Sequence, residues 1–388
     1  MEFIPEELLR IARICYQCGE CTGSCPLRRV SKFNPRDSIY ELATRGIDDD
    51  NMRWRWQCLI CENCYNVCPQ GVDFPSLIME LRSRSKEPVN DELVAHRVLS
   101  QIAYFMTRFD KGVPVDFKGE TDDKSEYGYF PGCLDYLDLF MDVGVNFHEI
   151  GDYALMLLNR IGIKPKLLDL KCCGHDALFQ GNLKVFQQLV SYNERRIKEL
   201  GIKKLIVSCA EGCLMFRRYY ELRGVEVIHI AELLSERLHF SDGERVHNRA
   251  LKVAYHDPCA LKRYKVYEEP RKAIKNSGAE LVELTHTRDN ALCCGVSGMM
   301  NCNDTTKALR VLRLAEAEAK NVDILITTCP KCLSHFNCLK QEQEQGSESN
   351  YKFEIVDLVV FLGRLVKRGL QQGQDKNCLL YTSPSPRD

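Results

Sequence analysis

The chain has 388 residues and a formal net charge of −1, a length that supports two or three domains with apolar cores. The near-neutral charge offers no footprint for nucleic acid. No run approaches the ~18 consecutive apolar residues of a transmembrane helix, and the acidic N-terminus (Glu2, Glu6, Glu7) lacks a signal-peptide pattern. The 21 cysteines then decide the class. A disulfide-stapled secreted domain is normally short and poor in core. In a long apolar chain without a leader, clustered thiols read as metal or redox sites in a reducing compartment.

The first block, residues 1–110, carries eight cysteines between short helical patterns at Pro5–Ile14, Pro35–Thr44 and Pro75–Ser83, each opening on a proline that suits a first helical turn. Cys15, Cys18, Cys21 and Cys25-Pro26 have the spacing C-x2-C-x2-C-x3-C-P, and Cys58, Cys61, Cys64 and Cys68-Pro69 repeat it. Three thiolates at every third residue can wrap three irons of one cube, and in two-cluster ferredoxins the fourth cysteine of each run serves the other cluster. The spacing therefore predicts two cubane [4Fe–4S] clusters. One is held by Cys15, Cys18, Cys21 and Cys68, the other by Cys58, Cys61, Cys64 and Cys25. Structural zinc would ask for two separated Cys pairs instead. Gly19 and Gly71 are expected to let the backbone approach inorganic sulfide, and Trp54 and Trp56 are expected to pack rather than relay electrons. The basic run Arg28-Arg29 with Lys32 reads as a solvated face.

Residues 111–126, polar from Lys118 onward, read as a linker. Beyond it the chain repeats itself. Cys133, Cys172-Cys173 and Cys209 recur as Cys259, Cys293-Cys294 and Cys329 at an offset of about 120 residues, which predicts a duplicated unit at 127–247 and 248–370. Strands at Leu205–Val207, Lys252–Tyr255 and Ile324–Thr328 alternate with helices at Val185–Leu200 and Thr305–Lys320. The fold class is therefore multidomain: a mainly helical ferredoxin-type domain, then a duplicated α/β domain with cysteines just after strands. Residues 371–388, with Cys378, fit no packed element and are set aside as a disordered or non-native tail.

Adjacent cysteines have Cα atoms only about 3.8 Å apart, too close for an ordinary disulfide or for two ligands of one small ion. They suit a larger, distorted cluster whose irons can be met by neighbouring thiolates. The full patterns are C-x38-CC-x35-C-x3-C from Cys133 to Cys213 and C-x33-CC-x34-C-x2-C from Cys259 to Cys332. With Tyr129-Phe-Pro-Gly-Cys133, His256-Asp-Pro-Cys259 and Thr328-Cys-Pro-Lys-Cys332, they resemble the CCG domains of heterodisulfide reductase. A ferredoxin block fused ahead of two such domains is similar to the D-type chain of that family.

The resemblance implies one or two noncubane [4Fe–4S] clusters. The catalytic one would use Cys259, Cys293, Cys294, Cys329 and Cys332, and a second set would use Cys133, Cys172, Cys173, Cys209 and Cys213. It implies an oxidoreductase subunit that passes electrons from the cubanes to a thiol/disulfide substrate, alongside a cytochrome b-type membrane subunit or a flavoprotein. Such a subunit would be cytoplasmic, or peripheral on the inner face of the membrane through its partner. Relatives of this layout also serve flavin-dependent dehydrogenases of the glycolate, lactate or glycerol-3-phosphate type and quinone-linked membrane complexes. The chain has no G-x-G-x-x-G, so a flavin would sit on a partner. Two features depart from the family pattern: three residues separate Cys209 from Cys213, and Gly295-Val-Ser-Gly-Met-Met300 stands in place of a glycine-rich stretch. His175 and His256 flank the cysteine motifs and are expected to be structural; Cys302 and Cys338 are expected to be buried thiols.

Overall fold

The computed structural model describes residues 6–47, 52–85, 98–112, 114–246, 251–296, 303–344 and 351–372. The tail with Cys378, the thiol of Cys302 and the stretch from Ser297 to Met300 lie outside the described residues.

The N-terminal block is a set of short helices around its cysteines. The helix Pro35–Arg45 starts as its sequence demands: Asn34 caps it by accepting from the Arg36 N–H, and Pro35 occupies the first turn. Thr22 donates to the same Asn34 oxygen at 2.7 Å, tying the first cysteine run to this helix. Asp73 caps Phe74–Ser83 by accepting from Ser76. Gly19 and Gly71 both adopt positive φ (90° and 63°), conformations that glycine reaches without strain. Trp54 stacks on Phe74 and donates to Glu41, and Trp56 is buried beneath Arg55 and Arg82, so both indoles pack. Arg29 meets His286 of the second repeated unit at 3.1 Å, so the basic run is not wholly a free face.

Each repeated half is a four-stranded parallel sheet. The first half holds β1 (Tyr127–Phe130), β2 (Lys166–Leu167), β3 (Lys204–Val207) and β4 (Glu226–His229) in the order β2-β1-β3-β4. The second half holds β5 (Lys252–Tyr255), β6 (Glu280–Leu281), β7 (Ile324–Thr327) and β8 (Glu354–Asp357) in the order β6-β5-β7-β8. Helices of both halves cover the sheets, as parallel strands require. Connections from β1 and β3, and likewise from β5 and β7, leave toward opposite sheet edges. The crevice between those strand ends is the switch point where α/β sheets build sites.

The halves pack reciprocally. The helix Ile230–Arg237 of the first lies on Glu268–Asn276 of the second, and Leu358–Gln372 of the second lies on His148–Arg160 of the first. Among the described residues no helix is long and apolar enough to cross a membrane.

The stretch before β1 is strapped to the first half. Phe117 is buried against the helix His148–Arg160, Lys118 N–H donates to Asp152 at 2.8 Å, and Glu120 N–H donates to Asn159 at 2.7 Å.

Candidate metal centre

The eight N-terminal thiols segregate into two groups that cross the two runs. Cys25 lines one small pocket with Cys58, Cys61 and Cys64, walled also by Leu27, Phe33, Leu59 and Phe74. Burial pushes the Cys58 thiol up to about 11 and raises Cys25, Cys61 and Cys64 as well. Thiolates are unfavourable in such a place without a cation, whereas iron supplies the missing charge. A cavity walled by four soft donors fits a cubane cluster. The other group is Cys15, Cys18, Cys21 and Cys68: after burial, the influences that raise the Cys21 thiol include those three neighbours. This group is the more open, with Cys18 exposed and the rest half-buried, whereas Cys25, Cys58, Cys61 and Cys64 are all buried.

The closed group is docked against both halves of the repeat. Glu62, between Cys61 and Cys64, pairs with Arg218 of the first half at 2.5 Å and with Arg263 of the second at 3.1 Å. Arg82, fully buried, donates to the carbonyls of Arg55, Cys58 and Phe179. Lys262 reaches Asn63 and the Ala291 carbonyl, and Asn63 itself donates to Ala291. These contacts bring Cys61 into the electrostatic reach of Cys259 and Cys293.

In the second half five cysteines converge. Cys294 and Cys332 lie Sγ to Sγ at 3.2 Å, and the thiols of Cys259 and Cys293, of Cys293 and Cys294, and of Cys329 and Cys332 shift one another as near neighbours. In the first half Cys133, Cys172 and Cys173 form a similar chain, with Cys209 close enough to raise Cys133 and Cys173. Across the boundary between the halves the Ala210 N–H donates to the Thr328 carbonyl at 3.2 Å, and beside that bond the Cys329 thiol is a neighbour that raises Cys209. The two switch points therefore face each other. Clustered thiols without disulfides, at the carboxyl ends of parallel strands, fit an iron–sulfur group of the kind vicinal cysteines suggest.

Cys213 is not part of this gathering. It is fully buried, its thiol is pushed up to about 12 by desolvation, and the charged groups acting most on it are Arg217 and Glu232. The reason is helical register. Cys209 and Cys329 each precede a helix, Ala210–Arg218 and Pro330–Glu344, and the offset of 120 is kept, so Cys213 and Leu333 donate equivalent N–H bonds to Cys209 and Cys329. Cys213 thus matches the core residue Leu333, and Gly212 stands where the second half has Cys332. Cysteine spacing alone pointed to Cys213; only the strand-to-helix register singles out Gly212.

Both flanking histidines are buried and neutral. Desolvation takes His175 down to about 4, and it lies 3.2 Å from Asp176 and 3.4 Å from Glu211. Desolvation and Arg313 take His256 down to about 3. Arg313 donates to His256 Nδ1 at 2.9 Å, which leaves the proton on Nε2. His256 offers a ring nitrogen within 4.8 Å of Cys294 and Cys332, where hydrogen bonding to cluster sulfur tunes a potential. Lys331, from the second half, reaches Asp176 and also Glu211 at 2.8 Å, both from the first half. Burial pushes Glu211 well above the usual carboxylate range; burial also opposes ionisation of Asp176, but Lys331 holds it low. No simple histidine motif marks this four-residue knot, which sequence reasoning missed because its members come from three separate segments. Cys338 is half-buried rather than buried, on the helix Pro330–Glu344 beside Glu342.

Comparison with known proteins agrees with this architecture. A 4Fe–4S dicluster domain matches residues 11–72, and a cysteine-rich CCG domain matches twice, at 127–217 and 253–337. A fumarate reductase (CoM/CoB) subunit of Methanothermobacter marburgensis is 29% identical over 86% of this chain and 69% of that protein. A dihydromethanophenazine:CoB–CoM heterodisulfide reductase subunit of Methanosarcina mazei, of the D type, is 27% identical over 82% of this chain and 86% of that protein. The EtfAB:quinone oxidoreductase of Syntrophomonas wolfei is 24% identical over 82% of this chain but only 54% of that protein. A hypothetical protein from Helicobacter pylori shares the fold, with a TM-score of 0.56 at 13% identity over 95% of this chain and 73% of that one. The chain carries cubane [4Fe–4S] clusters in its dicluster domain and noncubane cluster sites in its CCG domains. It is a redox protein, an iron–sulfur protein like the D-type chain of heterodisulfide reductase.

Proposed function

We propose that this chain is the iron–sulfur subunit of a redox complex that carries electrons through its two cubane clusters to the second CCG site, where a small disulfide is reduced to two thiols. Cys15, Cys18, Cys21 and Cys68 hold the outer cubane; Cys25, Cys58, Cys61 and Cys64 hold the inner one. Cys259, Cys293, Cys294, Cys329 and Cys332 hold the noncubane cluster. The observation that carries the reading is the docking of the loop around Cys61 on the second half, through Asn63 to Ala291 and Lys262 and through Ile60 to Arg263, which puts Cys61 within electrostatic reach of Cys259 and Cys293. The clusters, when bound, carry single electrons and offer iron to sulfur ligands. The protein does the rest. Glu62, Arg218 and Arg263 fix the inner cubane group against both halves. Desolvating walls exclude water, and His256 is held by Arg313 as an Nε2–H tautomer near Cys294 and Cys332. Each disulfide takes up two electrons and two protons.

The half-buried outer group faces a partner that donates or accepts electrons. Its rim carries exposed Tyr16, Tyr65 and Val67. A second reading, an electron-transfer subunit between a flavoprotein and quinone, is favoured by the EtfAB:quinone oxidoreductase relative.

Stopped-flow reoxidation separates the two. Reduced, reconstituted chain is mixed anaerobically with the mixed disulfide of coenzyme M and coenzyme B, or with a soluble quinone. The first reading expects cluster reoxidation by the disulfide at two electrons per molecule. Reoxidation by the quinone alone supports the second.

A further inference from the structure

The two CCG sites differ by one ligand, and we infer that the first is built with an open coordination position at Gly212, where an external soft donor such as a thiolate binds iron. This rests on the reading of both CCG sites as cluster sites and goes beyond it by assigning them different roles.

Three observations carry it. The first is register: Gly212 occupies the place that Cys332 fills in the second half, and Cys213 is turned into the core beside Arg217 and Glu232. The second is the space around Gly212. It has ordinary helical backbone, and a Cβ built there would meet only the Cys209 Cβ at 3.8 Å and a Phe130 ring carbon at 4.0 Å, both ordinary contacts. Packing does not require glycine, and a helical glycine costs up to ~1 kcal/mol relative to alanine. The third is access. Cys329 is 2% and Cys332 4% exposed, so the second site is closed at this corner. Of their counterparts, Gly212 is buried like Cys332, whereas Cys209 is half-buried; Cys133 and its counterpart Cys259 are both half-buried. A four-thiolate set whose gap lies one helical turn from the half-buried Cys209 leaves one iron position for a ligand that enters past that residue. A thiol binding there loses its proton to solvent and forms one iron–sulfur bond, with no change in oxidation state.

The test uses the full chain, reconstituted anaerobically, with 13C-labelled cyanide as a soft-donor probe read by EPR and ENDOR. Wild type is expected to show a saturable 13C hyperfine coupling. Gly212→Cys, which restores a fifth thiolate, should abolish it. Cys332→Gly, which opens the second site, should add a second coupled population. Iron and acid-labile sulfide are counted in the same samples. A first site that holds no iron in wild type, judged against a Cys172→Ser variant, sinks the cluster reading beneath the inference. Iron-loaded wild type without coupling overturns the open position alone, as does a coupling that folded Gly212→Cys leaves unchanged. Should Gly212→Cys fail to fold, the wild-type coupling and its second population in Cys332→Gly decide the matter.

Discussion

Gly212 and Cys213 are one position apart along a helix, yet one faces the cluster site and the other the core. A helical step turns a side chain by about 100°, since 3.6 residues complete a turn. Cys213→Ala should therefore leave iron and sulfide content unchanged while costing about 1 kcal/mol of stability, as small core deletions do. Metal analysis beside thermal unfolding checks this; loss of iron would return Cys213 to the ligand set. Asp357 offers a second test at this scale. It ends β8, is 1% exposed, accepts from the Val359 N–H at 2.9 Å, and its other oxygen has no hydrogen-bond partner among the described residues. Burial raises its carboxyl to about 8. The folded chain thus holds a proton that the unfolded chain gives up near pH ~4. Stability contributed by this group is full at low pH and is lost as pH rises from about 4 to about 8, then stays level. Melting temperatures at pH 6 and pH 8 should fall across that interval for wild type and fall less for Asp357→Asn. An equal fall in both would remove Asp357 as the cause.

Elements were legible where local chemistry dictates them. The helix expected at Pro35–Thr44 is Pro35–Arg45, the one expected at Thr305–Lys320 is Asp304–Ala319, and the strand Lys252–Tyr255 lies where its β-branched and aromatic residues put it. The stretch read as a linker was less legible, because its attachment depends on a glycine in a distant helix. A Cβ at Gly151 would stand 2.2 Å from the Phe117 ring, so only glycine lets that ring lie on the helix His148–Arg160. Gly151→Ala should lower stability by roughly 1–3 kcal/mol, the usual range for overpacking, despite its better helix propensity. Adding Phe117→Leu should recover part of the loss in thermal unfolding. Purely additive losses would mean that the two residues do not share the space.

At the scale of the whole molecule, the duplication and the crossed grouping of the N-terminal thiols were both legible, because each repeats in the spacing of cysteines. The wiring between blocks was not. Glu62 meets Arg218 and Arg263, and Cys209 meets Cys329, across more than a hundred residues of chain, and no local periodicity records such pairs. Under the proposed function those contacts imply an order: outer cubane group, inner cubane group, second CCG site, and only then, through Cys329 and Cys209, the first. The order is the central claim, and rapid freeze-quench EPR tests it most directly. Fully reduced, reconstituted chain is mixed with a substoichiometric amount of the mixed disulfide and frozen at millisecond intervals. The account predicts that the signal of the second CCG site changes first and that the cubane signals follow as electrons move inward. Cubane signals that decay while the second CCG site stays reduced would contradict it.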